Sequence, residues 1–528
     1  MSRTLLGCLN ASFGTVCTRW VRTLLTVVPE RVRRIAPSAG GLPHTRVSSG
    51  RRLLEHFAHL ARRVVWLAAV ACVAGLARAP IATATAGQRP NVLFIFTDDQ
   101  RRDTIHAWGN TYIATPNIDR IARAGVSFTN CYVQGSMVGA VCRPSRAMLM
   151  TGRSLFHIDT NVPLLPEVFR KAGYQTFASG KMHGAKGYFN RMFEDGDELF
   201  FGGMGSHTKL QVWDYDPTGK YPNSARHRVE SFTSEAFANA VIRFLENRDR
   251  SRPFFVYLAT TAPHDPRTPP PAYRAMYKPE EMPLPPNFMS LHPFNNGWMT
   301  GRDERLARWP RTPEEIRRHL ADYYGMITHL DAQIGRVLDT LERLGDLENT
   351  IIVFASDNGL AIGSHGLMGK QSVYEHSTGV PLIIAAPGMP ANETRDALVY
   401  LYDIYPTLCE LAGISIPKTV EGKSLVPVLA GRASGVRDTL FTAFMPQRAV
   451  RDRRWKLIRY THINKTQLFD LQSDPYELRD LSDDPKYAGK VHELMAVLRH
   501  WQRVLDDPQP LRTENPEPVE FVPPTSKK

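Results

Sequence analysis

The sequence predicts an α/β chain, with a mostly parallel central sheet flanked by helices and a smaller C-terminal α+β domain containing an antiparallel sheet. Three observations lead there. Short apolar runs rich in Val, Ile and Phe end abruptly at polar residues, helical patterns separate those runs, and past about Arg432 that alternation stops. The runs are Asn91 to Thr97 before Asp98, Pro253 to Ala259 before Pro263-His264, Thr350 to Ala355 before Ser356-Asp357, and Val380 to Ala385 before Pro387-Gly388. Lacking polar alternation, they fit strands buried on both faces. Helical periodicity at Thr115 to Ala124, Pro163 to Ala172, Ser231 to Glu246 and Thr312 to Leu344 supplies the crossovers of a parallel sheet. Ligands of such sheets gather beyond the carboxyl ends of the strands, where these polar residues project.

Residues 185–224 and the Pro-dense 265–311 break the rhythm and are expected to be long ordered loops over that edge. Val450 to Tyr460 and Gln467 to Leu471 are expected as antiparallel strands, followed by a helix from Tyr487 to Leu505 and a loose Pro-rich end. The expected domains are therefore 1–86, a targeting segment; 87–431, the main domain; and 432–528, the smaller one.

The 528 residues, 43% hydrophobic and 22% charged, are of ordinary globular composition. A net charge of +13 suggests a polyanion partner, but residues 1–90 hold 13 Arg against only Glu30 and Glu55, so the remaining chain carries +2. That excludes an overall basic field and, with it, nucleic acid as a partner. Arg62-Arg63, the apolar run Val64 to Ala77 and the small residues Ala84 to Ala86 have the order of a signal peptide's three regions. The run is shorter than the ~20 residues a spanning helix needs, so export to the periplasm or medium is expected, without a stable membrane anchor.

Of six Cys, Cys8, Cys17 and Cys72 fall in the targeting segment, leaving Cys131, Cys142 and Cys409. Three thiols are too few for a disulfide scaffold, and no C-x-x-C zinc pattern joins them. Asp98-Asp99 and Asp357-Asn358-Gly359 each follow a buried run. Three carboxylates and an amide oxygen meeting at strand ends would repel one another without a hard cation, for which calcium is best suited and magnesium or manganese the alternative. A lone Asp-Asp more often caps a helix or turn. Two such groups after two buried strands favour the metal.

Cys142-Arg-Pro-Ser-Arg146, continued by Ala-Met-Leu-Met-Thr-Gly-Arg153 and preceded by Thr97-Asp98-Asp99-Gln100, resembles the signature of the formylglycine-dependent (type I) sulfatases of the alkaline phosphatase superfamily. The resemblance is greatest to bacterial choline- and iduronate-sulfatase-like enzymes. It spans about Arg89 to Leu481, including Leu468-Phe-Asp-Leu-Gln-Ser-Asp-Pro-Tyr-Glu-Leu-Arg-Asp-Leu481. It implies an alkaline-phosphatase-like fold, one bound calcium, a maturation enzyme that oxidises Cys142 to formylglycine, and hydrolysis of a sulfate ester. The implied metal site comprises Asp98, Asp99, position 142, Asp357 and Asn358, the last in a place where the family also uses His.

A hydrated aldehyde explains the modification. One hydroxyl, acidified by the metal, attacks sulfur, and the other lets the sulfate leave by C–O cleavage, whereas a Ser or Cys sulfate ester would need a second attack at sulfur. By the same resemblance Arg146 holds the diol and metal carboxylates, and Lys181 in Gly180-Lys-Met-His183 binds sulfate oxygens. His183 takes the proton on collapse, His264 in Pro263-His264 binds sulfate and protonates the leaving alcohol, Lys370 completes the sulfate site, and Asp357 can accept the nucleophile's proton. His365 and His376 flank Lys370. His207, Trp213, Arg267, His292 and Trp298 in the long loops are candidates for substrate recognition and favour a sulfated carbohydrate over a lipid. Two rivals are a phosphatase or phosphonate monoester hydrolase of the same superfamily, and a non-catalytic binder of sulfated glycans in which Cys142 stays a thiol.

Overall fold

The structure is a computed structural model that describes residues 89–524, so the expected targeting segment lies outside the described residues. The chain enters the centre of the main sheet at once. Strand β1 (Asn91–Thr97) is buried along its whole length. Its Val92, Phe94 and Phe96 face one apolar cluster and Leu93 and Ile95 face another, so both sides of the sheet are covered. This is what an unbroken apolar run requires. In chain order there follow α1 (Pro116–Ala124), β2 (Val126–Tyr132), β3 (Gly135–Ser136), α2 (Cys142–Thr151), α3 (Leu165–Lys171), β4 (Gln175–Lys181) and β5 (Asp195–Phe200). Then come the two-residue pair β6 (Gln211–Val212) and β7 (His227–Arg228), α4 (Thr233–Asn247), β8 (Phe254–Ala259), α5 (Pro313–Leu344), β9 (Thr350–Ser356), β10 (Gly379–Ala385), β11 (Glu393–Arg395) and β12 (Val399–Tyr400).

Among the described residues the main sheet has nine strands in the order β11-β2-β10-β9-β1-β8-β4-β5, with β12 also paired to β2. All these pairings are parallel except those of β10, which runs antiparallel to β9 and β2. Registers put the ends of four strands side by side: Thr97 opposite Ser356, Phe96 opposite Ala259, and Gly180 opposite Ala259. Residues that follow these strands therefore leave the sheet at one edge.

The longest helix, α5, starts where Thr312 caps the amide of Glu315, with Pro at the first turn, and stops at Gly345 in a left-handed conformation. Past α6 (Ile404–Leu411), the strands β13 (Leu440–Phe444), β14 (Gln447–Arg451), β15 (Trp455–Tyr460) and β16 (Lys465–Asp470) form a second sheet, and α7 (Ala488–Val504) follows. The expected strand Val450 to Tyr460 is thus two strands. Between them the Asp452 carboxylate accepts the amides of Arg454 at 2.7 Å and Trp455 at 2.6 Å, a side-chain-closed turn. The sheet is antiparallel apart from β3, which pairs in parallel with β13 and so ties it to the segment just ahead of Cys142. Residues 185–224 are not only loop, since β5 within them extends the main sheet beyond β4. No helix among the described residues is long and apolar enough to cross a membrane.

Gly180, at a register shift between β4 and β5, has φ +97, and a Cβ there would collide with the backbone carbonyl of Ala259. Gly180→Ala should therefore lower stability by ~2 kcal/mol or more, read as a lower urea midpoint at unchanged slope.

Candidate active site

The parallel pairing of β1 with β9 brings Asp98-Asp99 beside Asp357-Asn358, more than 250 positions away in the chain. The Asp357 amide bonds the Thr97 carbonyl at 3.2 Å, and the Asp99 amide donates to Asp357 Oδ1 at 3.1 Å. Asp99 adopts φ 65, a left-handed backbone uncommon for a residue with a side chain. It is fixed there by the buried Tyr323 of α5, whose hydroxyl donates to the Asp99 carbonyl at 2.6 Å and accepts the Arg101 amide at 2.9 Å.

Helix α2 delivers two residues on one face. Cys142 is its first residue, where the positive end of the helix dipole lies, and Arg146 follows one turn later. Cys142 is buried, its Sγ 3.2 Å from Asp98 Oδ1 and 3.6 Å from Asp99 Oδ1. The Arg146 guanidinium lies over the Phe96 ring, 4.8 Å from its centroid, and donates to Asp357 Oδ2 at 2.8 Å and to the Lys181 carbonyl at 3.0 Å.

Two ammonium groups close the cluster. Lys181, the last residue of β4 and fully buried, puts Nζ 2.5 Å from Asp98 Oδ2. Lys370, from the loop after β9, sits 2.6 Å from both Asp99 oxygens and 2.8 Å from Cys142 Sγ. Beyond β8, His264 places Nε2 3.6 Å from Asp99 Oδ2 while its Nδ1 donates to the Asp265 carbonyl at 2.8 Å. His183 joins Cys142, His264 and Lys370 in lining one cavity of about 310 Å³, with Gly203, Met204, Trp298, Arg302, Asp303 and Gln371 on its other walls.

The charge balance is tight. Burial and the neighbouring Asp98 and Asp357 charges push the Asp99 carboxyl up despite Lys370, whereas for Asp98 the pull of Lys181, Arg146 and Lys370 outweighs burial and holds it down. Burial, Asp357 and Asp98 push the Cys142 thiol well up, so an unmodified Cys142 is a poor nucleophile. Burial, with Lys181 and Arg146, depresses His183 to about 2, and burial with Lys370 and Lys181 holds His264 well below the ordinary imidazole range. Both imidazoles rest neutral.

A cation fits here. Ligand atoms of Asp98, Asp99, Cys142 and His264 lie within 4.8 Å of one another. That set has His264 where the sequence pointed to Asp357 and Asn358. Oxygen donors are preferred by a hard ion, and Asn358 is fully buried with neither Oδ1 nor Nδ2 hydrogen-bonded. An orphaned buried amide is costly, ~1–3 kcal/mol, and an ion at Oδ1 relieves it. The Asp357 oxygens each accept one hydrogen bond and keep lone pairs for the same ion.

The loop residues separate into three groups. Trp298 faces the cavity. His207 instead braces His264, with Nε2 3.0 Å from its carbonyl oxygen, and Arg267 is buried against His319, 3.0 Å from its Nδ1. Trp213 packs on Phe201, His292 and His365 on Tyr374, and the buried His376 stacks against Tyr374 as well, so these four serve packing. Tyr323, Arg302, Asp303 and Gln371 escaped sequence reasoning. Tyr323 lies on the apolar stripe of a helix like any core Tyr, and the others carry no motif.

The model of the sulfatase family matches residues 90–414, and that of the C-terminal part of N-sulphoglucosamine sulphohydrolase matches residues 363–503. The chain belongs to the sulfatase family. It is 29% identical to an N-acetylglucosamine-6-O-sulfatase of Bacteroides thetaiotaomicron, over 80% of this chain and 88% of the relative. It is 31% identical to an arylsulfatase of Clostridium perfringens, over 78% of this chain and 94% of the relative. A solved structure of a complex with its substrate D-glucosamine-2-N,6-O-disulfate superposes with a TM-score of 0.66 at 25% identity, covering 80% of this chain and 99% of that one.

If Asn358 Oδ1 is a ligand, Asn358→Ala should leave the ion-free protein within ~1 kcal/mol of wild type, since no hydrogen bond is lost. The rise in Tm on adding calcium, worth ~2.7 kcal/mol at a hundredfold excess over Kd, should shrink markedly in a thermal titration.

Proposed function

We propose that this chain is an exported sulfuric ester hydrolase acting on a sulfated carbohydrate, with formylglycine at position 142 and one calcium ion held by Asp98, Asp99, Asp357, Asn358 and the side chain at 142. The observation that carries the reading is the packing of Cys142 Sγ between Asp98 Oδ1 at 3.2 Å and Lys370 Nζ at 2.8 Å, at the floor of an open cavity. A thiol used only for packing would not need a cage of three carboxylates, two ammonium groups and a guanidinium. Sulfated-sugar substrates are supported by the relatives' names, and export by the signal-like run Val64 to Ala77. A formylglycine-generating enzyme is the implied maturation partner.

The Cys142 side chain stands where a hydrated aldehyde would supply the nucleophilic hydroxyl, and a calcium ion held by the residues named above would supply positive charge to acidify it. The chain's own groups do the rest. Lys181 and Lys370 present ammonium groups to the incoming sulfate, exchanging part of their bond to Asp98 and Asp99 for sulfate oxygens, and so neutralise charge that grows as the S–O bond breaks. Arg146 fixes Asp357 and the orientation of position 142. Asp357 accepts the nucleophile's proton. His264, its Nδ1 committed to Asp265, turns Nε2 to the cavity, where a bound sulfate anion raises its proton affinity and lets it protonate the departing alcohol. His183 is neutral at working pH, and its Nδ1 is without a partner, so it is free to accept the proton when the sulfate leaves.

Mass spectrometry of the peptide spanning residue 142 should show aldehyde in place of thiol, and hydrolysis should favour aryl sulfate over aryl phosphate. Cys142→Ala should fold and lose turnover to background. Lys181→Ala should lower kcat/KM by ~10²–10³-fold. Near-normal hydrolysis by Cys142→Ala excludes the mechanism. A panel of 6-O-sulfated and 2-N-sulfated hexosamines then tests the substrate class.

A further inference from the structure

Lys370 stands on a loop, yet its ammonium sits between Asp99 and Cys142, 2.6 Å from both carboxylate oxygens and 2.8 Å from the sulfur. A long, flexible side chain on a loop holds such a position only if the backbone beneath it is fixed. The loop makes a narrow turn, with Ala361 and Gly363 amides bonded to the Gly369 and Leu367 carbonyls at 2.9 and 2.7 Å. Those bonds hold the turn's carbonyls and leave the amides that lead into Lys370 to be met from outside.

They are met by one side chain. The Glu304 carboxylate accepts the Met368 amide at 3.0 Å on Oε2 and the Gly369 amide at 2.9 Å on Oε1. The next amide, that of Lys370, donates to Gln371 Oε1 at 3.0 Å, and Gln371 Nε2 donates in turn to Asp303 Oδ2 at 2.6 Å. Glu304 thus holds two successive backbone amides directly, and Asp303, its neighbour in a short 3-10 turn of the Pro-dense segment, anchors the Gln371 side chain that holds the third. Glu304 is 3% exposed and paired with Arg311, itself 1% exposed, at 2.8 Å. Neutralising Arg311 alone would not require the carboxylate to face the turn. Packing is equally tight: a Cβ on Gly369 would run into Gln371 Oε1 and come within 2.8 Å of Asp303 Cβ and 3.2 Å of Glu304 Oε1.

We infer that Glu304 is a positioning residue, which sets Lys370 against Asp99 and the side chain at 142 by binding the amides of the turn that carries it. The inference rests on the sulfate-binding role given to Lys370 above. It also joins the cavity wall to the sulfate site, because Asp303, which faces the cavity, belongs to the same clamp.

The test is a double-mutant cycle on an aryl sulfate, with Glu304→Gln, Lys370→Ala and both together in the matured enzyme. Glu304→Gln should lower kcat/KM by ~10–100-fold, as loss of an outer support to a site residue does, and by the same factor on a sulfated sugar, because Lys370 meets only the sulfate. Glu304→Asp should recover part of the loss. In the Lys370→Ala background Glu304→Gln should cost nothing further. Additive losses would mean that Glu304 acts elsewhere and would overturn the inference while leaving the Lys370 assignment intact. A Lys370→Ala enzyme as fast as wild type would overturn that assignment and this inference together. Should Glu304→Gln not fold, the same cycle with Gly369→Ala reads the same coupling, with the same non-additivity expected and additivity counting against it.

Discussion

The structure is organised around an electrostatic constraint: three carboxylates, Asp98, Asp99 and Asp357, are buried at the ends of two adjacent parallel strands with at most 2% exposure. A buried charge left alone costs several kcal/mol, so positive charge has to reach this place from elsewhere in the chain. The sheet solves the problem by topology. Its order β4-β8-β1-β9 lines up four carboxyl ends, and each sends one part of the answer: Lys181, His264, the Asp98-Asp99 pair and Asp357-Asn358. Helix α2 adds Arg146, with Cys142 at its positive end, and the loop after β9 adds Lys370.

The cationic groups have two tasks that pull in different directions. They stabilise the carboxylates in the folded chain, and under the proposed function they must also be available to an incoming sulfate. Under the proposed function Lys181 and Lys370 would meet both, because a hard ion held by the carboxylates would take over the first task. Arg146 does not switch. Its guanidinium is held over Phe96, with bonds to Asp357 and the Lys181 carbonyl, as suits a group that fixes geometry. Asp99 and His183 both hold left-handed backbones at this site.

Much of this was legible in the sequence because it resides in local pattern. An unbroken apolar run that stops at Asp is a buried strand delivering a carboxylate, and β1 and β9 end within a residue of the expected places. The long helix α5 announced itself by its period. What lay hidden depends on pairing between distant segments. Strand β5 opens on Asp-Gly-Asp-Glu and lacks an apolar run, so its pairing with β4 left no trace in composition. The split between β14 and β15 rests on one Asp side chain in a stretch of charged residues. Neither Tyr323 nor Glu304 carries a motif, since each acts on backbone atoms, which any sequence possesses. Of the His and Trp residues in the long loops Trp298 faces the cavity, His207 braces His264, and Trp213 and His292 pack against aromatic rings, a division that side-chain chemistry alone does not reveal.

The central claim is that one hard divalent ion sits among Asp98, Asp99, Asp357 and Asn358, touching the side chain at 142. The most direct measurement is a crystal structure of the matured protein soaked in calcium, with anomalous differences used to locate the ion. The account predicts one peak with oxygens of these four residues and of residue 142 at ~2.3–2.6 Å, and the Lys370 ammonium moved off Asp99. A peak bound through His264 nitrogen at ~2.0–2.1 Å, or none within reach of residue 142, would contradict it.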